Sequence, residues 1–313
     1  MRFNKLDLNL LVALDHLLHL RSVSGAAQQM NMTQSAMSNA LVRLRDYFGD
    51  DLLVRIGRRM DLTPRGEALK DAVRDVLVRV EWTVATTSDF DPATSDRSFN
   101  VLVSDYTLAT LIPRVLAMAR AAAPGIRFNF MQQADGPERL LERGDVDLLI
   151  IPTDFRSRRH PFERVLEEDF CAIVWEDGPL ARKRLTRREF SESSHVAMQP
   201  PSGAPSLETM YFRQQGLTRR IDVVTYSFVT LPLLVVGTDR IATLHRRLAE
   251  LSAATLPVKI LELPYRLPKM QQVAQWHKHR AQDAGLIWLR GLIRAAEALG
   301  EAARSTAAAG RAG

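Results

Sequence analysis

The 313-residue sequence predicts an N-terminal all-α winged helix-turn-helix, a long linker helix and a larger C-terminal α/β portion. Three observations carry that expectation. Residues 23–48 hold two amphipathic helical periods separated by one turn residue; residues 65–87 carry an uninterrupted apolar stripe; beyond residue 98, short β-rich runs alternate with helical ones. Alternation of that kind implies parallel-rich sheets covered by helices on both faces.

The first helix is expected over residues 6–20, with Leu10, Leu11, Leu14, Leu17 and Leu18 facing inward. Ser24 can then cap a short helix whose inward residues are Ala26, Ala27 and Met30. Asn31 suits the sharp turn, because its side chain satisfies local backbone groups and tolerates a left-handed conformation. Thr33 stands where a second helix needs an N-cap, and Met37, Leu41, Leu44 and Phe48 recur at the spacing of one buried face. The opposite face offers Gln34, Ser35, Ser38, Asn39 and Arg43, short polar groups and one cation fit to meet base edges and phosphates in a major groove.

Any amphipathic helix pair shows such spacing, so the following segment decides. Residues 51–65 read as a hairpin with Gly57 near its tip, where Arg55, Arg58, Arg59 and Arg65 stand against Asp61. A basic hairpin beside such a helix is a wing able to grip flanking phosphates. The candidate DNA contacts are therefore Thr33, Gln34, Ser35, Ser38, Asn39, Arg43, Arg55, Arg58 and Arg59.

Composition bounds the rest. Hydrophobic residues at 46% and charged residues at 25% are ordinary for a soluble globular protein. The formal charge of +6 permits a polyanionic partner, yet over residues 1–90 only 12 Lys and Arg face 11 Asp and Glu. Local clustering carries the DNA reading. Cys171 is the only cysteine, which excludes an intrachain disulfide and fits a reducing compartment. Its apolar run, residues 170–175, suggests a buried, inert thiol. Asp7 and Asp15 interrupt the leading leucines before a signal peptide could form, and no uncharged apolar stretch could span a bilayer. The expected location is the cytoplasm, with no membrane partner.

After Pro64, residues 65–87 place Leu69, Val73, Val76, Val80 and Val84 on one stripe, suited to joining two copies of the helix or to packing on its own chain. Dimerisation is the reading adopted. Residues 88–98 read as a linker. Strands are expected at 99–104, 126–131, 146–152, 170–175, 194–198, 221–227, 240–244, 258–263 and 272–277, with helices at 107–121, 136–143, 205–216, 229–237 and 281–298. Residues 299–313 lack apolar periodicity and read as a disordered tail.

Several stretches together resemble the LysR-type transcriptional regulators: Ala26-Ala27-x-x-Met30-x-Met32-Thr33-Gln34-Ser35-Ala36-Met37-Ser38, Arg43-Leu44-Arg45, Asp50-x-Leu52-Leu53-Val54-Arg55 and Leu62-Thr63-Pro64-x-Gly66. Arg2-Phe3 with Leu6-Asp7-Leu8-Asn9-Leu10-Leu11, and Arg43-Leu44-Arg45-Asp46-Tyr47-Phe48, look most like the branch of nodulation and aromatic-degradation regulators. Gln275-Trp276-His277 and Asp283-x-Gly285-x-x-Trp288-Leu289-Arg290 resemble the end of that branch. Ser35 stands where the family usually has proline, Arg45 where many members have glutamate, and Leu53 where phenylalanine is common. None of the three removes a capping or core role.

The resemblance implies two periplasmic-binding-protein-like subdomains in the α/β portion. Its domain plan is a winged helix-turn-helix at 1–64, a linker helix at 65–88, a hinge at 89–98, a first subdomain at 99–168 and 266–298, a second at 169–265, and the tail. It further implies a homodimer or homotetramer on an interrupted palindrome in double-stranded DNA, a small aromatic inducer between the subdomains, and RNA polymerase as a partner. The operon activated would degrade an aromatic compound such as a chlorinated phenol or hydroquinone.

Open α/β sheets bind ligands at the carboxyl ends of strands, beside helix N-termini. Those places hold Ser104, Asp105, Tyr106 and Thr107; Thr153 and Phe155; Gln199, Pro200 and Ser202; Phe228; and His245. Apolar walls with a few hydroxyls, amides and one imidazole suit a phenol or quinol. Plainer readings stand beside each: the hydroxyls as caps, Tyr106 and Phe228 as core, His245 as a solvated polar group. Enzyme readings fare badly. No Gly-x-Ser-x-Gly, Gly-x-x-x-x-Gly-Lys-Ser/Thr or Gly-x-Gly-x-x-Gly after a strand occurs. His277 and His279 flank Lys278 without a carboxylate or cysteine at ligand spacing, so a solvated edge is expected and no metal, cofactor or catalytic residue is assigned. Arg182, Lys183, Arg184, Arg187 and Arg188 read as solvated surface. A solute-binding protein and an α/β hydrolase or isomerase acting on a small aromatic are the competing classes.

Overall fold

In the computed structural model, α1 (Leu8–Leu20) starts at Asp7, whose carboxylate accepts from the Leu10 N–H, and ends at Arg21. The structure describes residues 6–57, 59–85, 90–133, 136–181, 184–200 and 203–312. Arg58, Arg182, Lys183, Ser202 and the side chain of Val84, all singled out above, lie outside the described residues. The chain divides into two units, residues 1–89 with 142–145, and the remainder.

In the first unit, α2 (Val23–Gln29) is capped by Ser22 and not by Ser24, which already lies in its first turn. A cap must reach the N–H three residues on, and Ser22 Oγ accepts from Gly25 N–H at 3.1 Å. Asn31 takes the left-handed turn at φ 51°. Then α3 (Gln34–Phe48) begins at Thr33, whose hydroxyl accepts from the Ala36 N–H, and stops at left-handed Gly49. Met37, Leu41 and Leu44 bury against Leu10, Leu14, Leu17, Leu18, Ala26 and Ala27 in a single core. The hairpin follows, β1 (Leu53–Ile56) antiparallel to β2 (Arg59–Leu62), turning through Gly57 at φ 64°.

Pro64 opens α4 (Pro64–Ala85), its fixed φ suiting the first helical position. The apolar stripe divides. Leu69, Val73 and Leu77 cover the unit's own core, and Arg74 pairs at 2.9 Å with the buried Asp15 of α1. Val76 stays 43% exposed. Packing on its own chain thus claims one side of the helix and leaves Val76 uncovered.

The second unit is built on two five-stranded sheets. Its elements run β3 (Ser98–Val103), α5 (Asp105–Thr110), α6 (Ile112–Ala122), β4 (Arg127–Gln132), α7 (Pro137–Glu142), β5 (Leu148–Pro152) and β6 (Phe162–Glu168). Next come β7 (Phe170–Trp175), α8 (Arg187–Glu192), β8 (Ser194–Met198), α9 (Leu207–Gln214), β9 (Arg220–Thr225), α10 (Leu231–Val235), β10 (Ile241–His245), α11 (Arg246–Ala253) and β11 (Val258–Leu261). The chain closes with β12 (Met270–Gln275) and α12 (Ala284–Ala312). The first sheet has the order β4-β3-β5-β12-β6, the second β11-β7-β10-β8-β9. In each, four strands run one way and a single strand, β12 in the first and β7 in the second, runs antiparallel to them. The chain leaves the first sheet at Asp169 and returns before β12; the crossings meet where Lys269 pairs with Asp169 at 3.3 Å.

Four expectations need correcting. The helix expected over 107–121 is two, broken at Leu111 where Pro113 starts a new one, since proline is disfavoured inside a helix but favoured in its first turn. Strand β6 escaped notice because it is an edge strand rich in Glu and Arg, without a clean apolar alternation. Helices α8 and α11 are short and largely polar, and were absent from the expected set. The tail is not disordered over 299–312: α12 continues through it to Ala312. Alanine is the strongest helix former, and extending an existing helix needs no new nucleus. Among the described residues, no helix is long and apolar enough to cross a membrane.

Candidate nucleic-acid interface and ligand cleft

The outer face of α3 is built as its spacing foretold: Gln34, Ser35, Ser38, Asn39 and Arg43 are all exposed. Thr33 Oγ1 is spent on capping Ala36 N–H at 3.2 Å and touches Ser35 Oγ at 3.1 Å. That bond fixes the start of the helix. Arg43 reaches Asp7 at 3.5 Å through two well-exposed side chains, a pair weak enough to yield to a phosphate. One residue was missed. Val42 is 53% exposed amid the polar face, four residues after Ser38, where its methyls suit contact with a thymine methyl. Helical spacing alone would have located it.

On the hairpin, Arg59 is exposed and Arg55 Nε donates to the Gly57 carbonyl at 3.2 Å. Asp61, the acid expected to offset these arginines, is taken by Arg21 at 2.7 Å. Arg21 sits at the end of α1, so the hairpin cations keep their charge for an outside partner.

Between the two sheets of the second unit, four expected ligand residues converge. Asp105 accepts from Ser227 Oγ at 2.7 Å and from Val229 N–H at 3.1 Å, joining the first subdomain to the second. Tyr106 is buried and its hydroxyl donates to Glu168 at 2.8 Å. Its ring lies 4.3 Å from that of His245, which also meets Phe170 at 4.9 Å and Phe228 at 5.2 Å. His245 is not solvated; it is 3% exposed, because it ends a central strand beneath these rings. Neither ring nitrogen has a hydrogen-bond partner among the described residues. Burial pulls its pKa down to about 3, so the imidazole is neutral.

Four of the other expected residues hold hydrogen bonds within the chain. Ser104 Oγ accepts from Thr107 N–H at 3.2 Å, and Thr107 Oγ1 accepts from Gln272 Nε2 at 2.9 Å. Thr153 Oγ1 donates to the Gln271 carbonyl at 3.1 Å, and Gln199 Nε2 to that of Gly203 at 2.7 Å. Phe155 is 43% exposed and Pro200 partly buried. The solvated edge expected for His277 is wrong: it is buried, its ring 4.9 Å from that of His160. Cys171 is buried as expected, which pushes its thiol up to about 12 and leaves it inert.

Sequence reasoning also missed the ionic chain beside Tyr106. Arg247 meets Glu168 at 2.7 Å and Glu297 at 2.7 Å, all three buried. These residues lie far apart in sequence, and no local period links them.

A helix-turn-helix with a basic hairpin, carried in one chain with a two-sheet α/β module, defines a ligand-responsive DNA-binding regulator. Residues 8–67 match the family model described as bacterial regulatory helix-turn-helix protein, lysR family, and residues 93–298 match that of the LysR substrate binding domain. The chain belongs to the LysR family of transcriptional regulators and is not an enzyme. Nodulation protein D 1 of Mesorhizobium japonicum is 38% identical over 307 residues, spanning 98% of this chain and 96% of its own. A probable transcriptional regulator from Pseudomonas aeruginosa is 25% identical with a TM-score of 0.64, over 94% of this chain and 98% of its own. Full-length OxyR from Pseudomonas aeruginosa shares the fold, at 18% identity and a TM-score of 0.70, over 92% of this chain and 95% of its own.

Proposed function

We propose that this regulator activates transcription when a small aromatic carrying a hydroxyl enters between its two regulatory subdomains. The observation that carries the reading is the neutral, unpartnered imidazole of His245 among three aromatic rings. A phenol would stack on those rings and trade a hydrogen bond with a nitrogen that otherwise has no partner. Inducer closing one subdomain on the other shifts the population of DNA-bound arrangements. Two copies joined along the Val76 side of α4 present paired recognition helices to an interrupted palindrome, and two such dimers form a tetramer that engages RNA polymerase in the cytoplasm. The operon is read as one for aromatic degradation. The name of the Mesorhizobium relative, a nodulation protein, favours a nodulation operon as the alternative.

His245→Phe removes the polar atoms and keeps the ring. It should weaken binding of hydroxylated aromatics about tenfold, the size of one hydrogen bond of about 1–1.5 kcal/mol, while uninduced DNA binding is unchanged. Calorimetry with a phenol panel measures this; equal affinities for both proteins would remove His245 from the site.

On the DNA side, Arg59→Ala should lower affinity for all sequences and reduce the slope of log K against log salt by about 0.9. Gln34→Ala should instead change which base pairs are preferred, costing about 1–3 kcal/mol on the chosen site. Equal losses for Gln34→Ala on chosen and random duplexes would reject its role in reading bases.

A further inference from the structure

We infer that Arg45 is a positioning residue for DNA recognition: it locks the angle at which the hairpin leaves the recognition helix, and does not itself hold DNA. The inference rests on α3 and the hairpin being the DNA-reading surface. Arg45 lies on the last turn of α3, yet its side chain turns toward the hairpin and is only 34% exposed. Nε donates to the Asp51 carbonyl at 2.8 Å and a terminal nitrogen to the Leu53 carbonyl at 2.6 Å. The Asp51 carboxylate lies 3.7 Å away. The backbone of the same residue accepts from Gly49 N–H at 2.8 Å and Asp50 N–H at 3.4 Å. One residue therefore ties the end of the helix to both sides of the bend that follows it.

The bend needs such a tie. Leu52 is fully buried at φ 59°, a conformation leucine rarely adopts and one that persists only where its surroundings impose it. Asp50 accepts from Leu52 N–H at 2.7 Å and from the Thr63 hydroxyl at 2.6 Å, and Thr63 N–H donates to the Leu52 carbonyl at 3.1 Å. A side chain at Gly66 would stand 2.5 Å from that carbonyl, so the inner wall of the bend has no slack. The outer wall is different. Among the described residues strand β1 pairs only with β2, and an isolated two-stranded ribbon is marginal in water. The Arg45 fork supplies donors to its free edge, where a third strand would otherwise lie.

The geometry also separates this role from phosphate binding. Two of the guanidinium's nitrogens are committed to carbonyls, while Arg43 and Arg59 stand exposed nearby in the fold. A lysine could carry the charge but not the fork. The test uses the full-length protein, with Arg45→Lys and Arg45→Gln beside Arg59→Ala. Three readouts are taken: affinity for a duplex selected from a random pool, its salt dependence, and amide hydrogen exchange without DNA.

Both Arg45 variants should lose about tenfold on the selected duplex with the salt slope unchanged. Their hairpin amides, residues 53–62, should exchange at least tenfold faster while the core amides of α1 and α3 stay protected. Full affinity in Arg45→Lys, with the slope of Arg45→Gln reduced by about 0.9, would overturn the proposal in favour of a phosphate contact. Unchanged affinity and exchange would overturn it outright. Faster hairpin exchange in a protein that prefers no duplex would uphold the lock and overturn its part in recognition.

Discussion

Arg247→Leu should destabilise the α/β unit by about 3–5 kcal/mol, the usual cost of stripping one partner from a buried ion pair. Arg247 forms short contacts with Glu168 and both oxygens of Glu297, and it also donates to the Glu167 carbonyl at 3.3 Å. Leucine fills much of the volume but leaves Glu168 buried without its paired cation and Glu297 with Arg304 at 3.4 Å. The easiest relief for Glu168 is to take up a proton. Burial already raises the Glu168 pKa above its ordinary value, with Arg247 opposing that rise. Removing Arg247 lifts it further, so the unfolded chain gives up this proton at lower pH than the folded one. The folded state of the variant therefore binds more protons, and its stability falls as pH rises through that window. The deficit should be larger at pH 8 than at pH 5. Denaturant unfolding at both pH values measures it, and a variant as stable as the parent at pH 8 would show that the chain of charges contributes nothing.

Leu44→Ala should remove about 2–5 kcal/mol from the DNA-binding unit. Leu44 is fully buried in the core shared by α1, α2 and α3. Leucine and alanine are both good helix formers, so the loss comes from lost burial and the cavity left behind. In a unit this small, each kcal/mol lowers the melting temperature by about 4–8 °C. Ser38→Ala, on the exposed side of the same helix, should change stability by less than about 0.5 kcal/mol. A calorimetric melt that shifted equally for both would mean the two faces of α3 have been misassigned.

The DNA-binding unit was legible in the sequence because its determinants are local. Thr33 caps the residue three places on, Asn31 turns the chain by itself, and Met37, Leu41 and Leu44 share a face through helical spacing alone. Ser24 was mistaken for Ser22 because both serines suit a cap, and only the placement of the first turn decides. The cleft was half legible. Strand-end logic singled out Asp105, Tyr106, Phe228 and His245, which do meet. It could not say which hydroxyls were already committed, since Thr107 finds Gln272 across 165 residues. Arg247 was invisible for the same reason: its partners arrive by way of the sheet crossings. The tail was misread by a different logic, apolar periodicity having been asked to report on a helix that alanine sustains without it.

The paired crossings at Asp169 and Lys269 bear on how a signal could travel. A lobe tethered by a single strand can swivel, tilt and twist. Two crossings side by side resist twisting and sideways tilt, leaving chiefly one rotation axis lying across the pair. A molecule that wedges or bridges the lobes would therefore act mainly along that one axis.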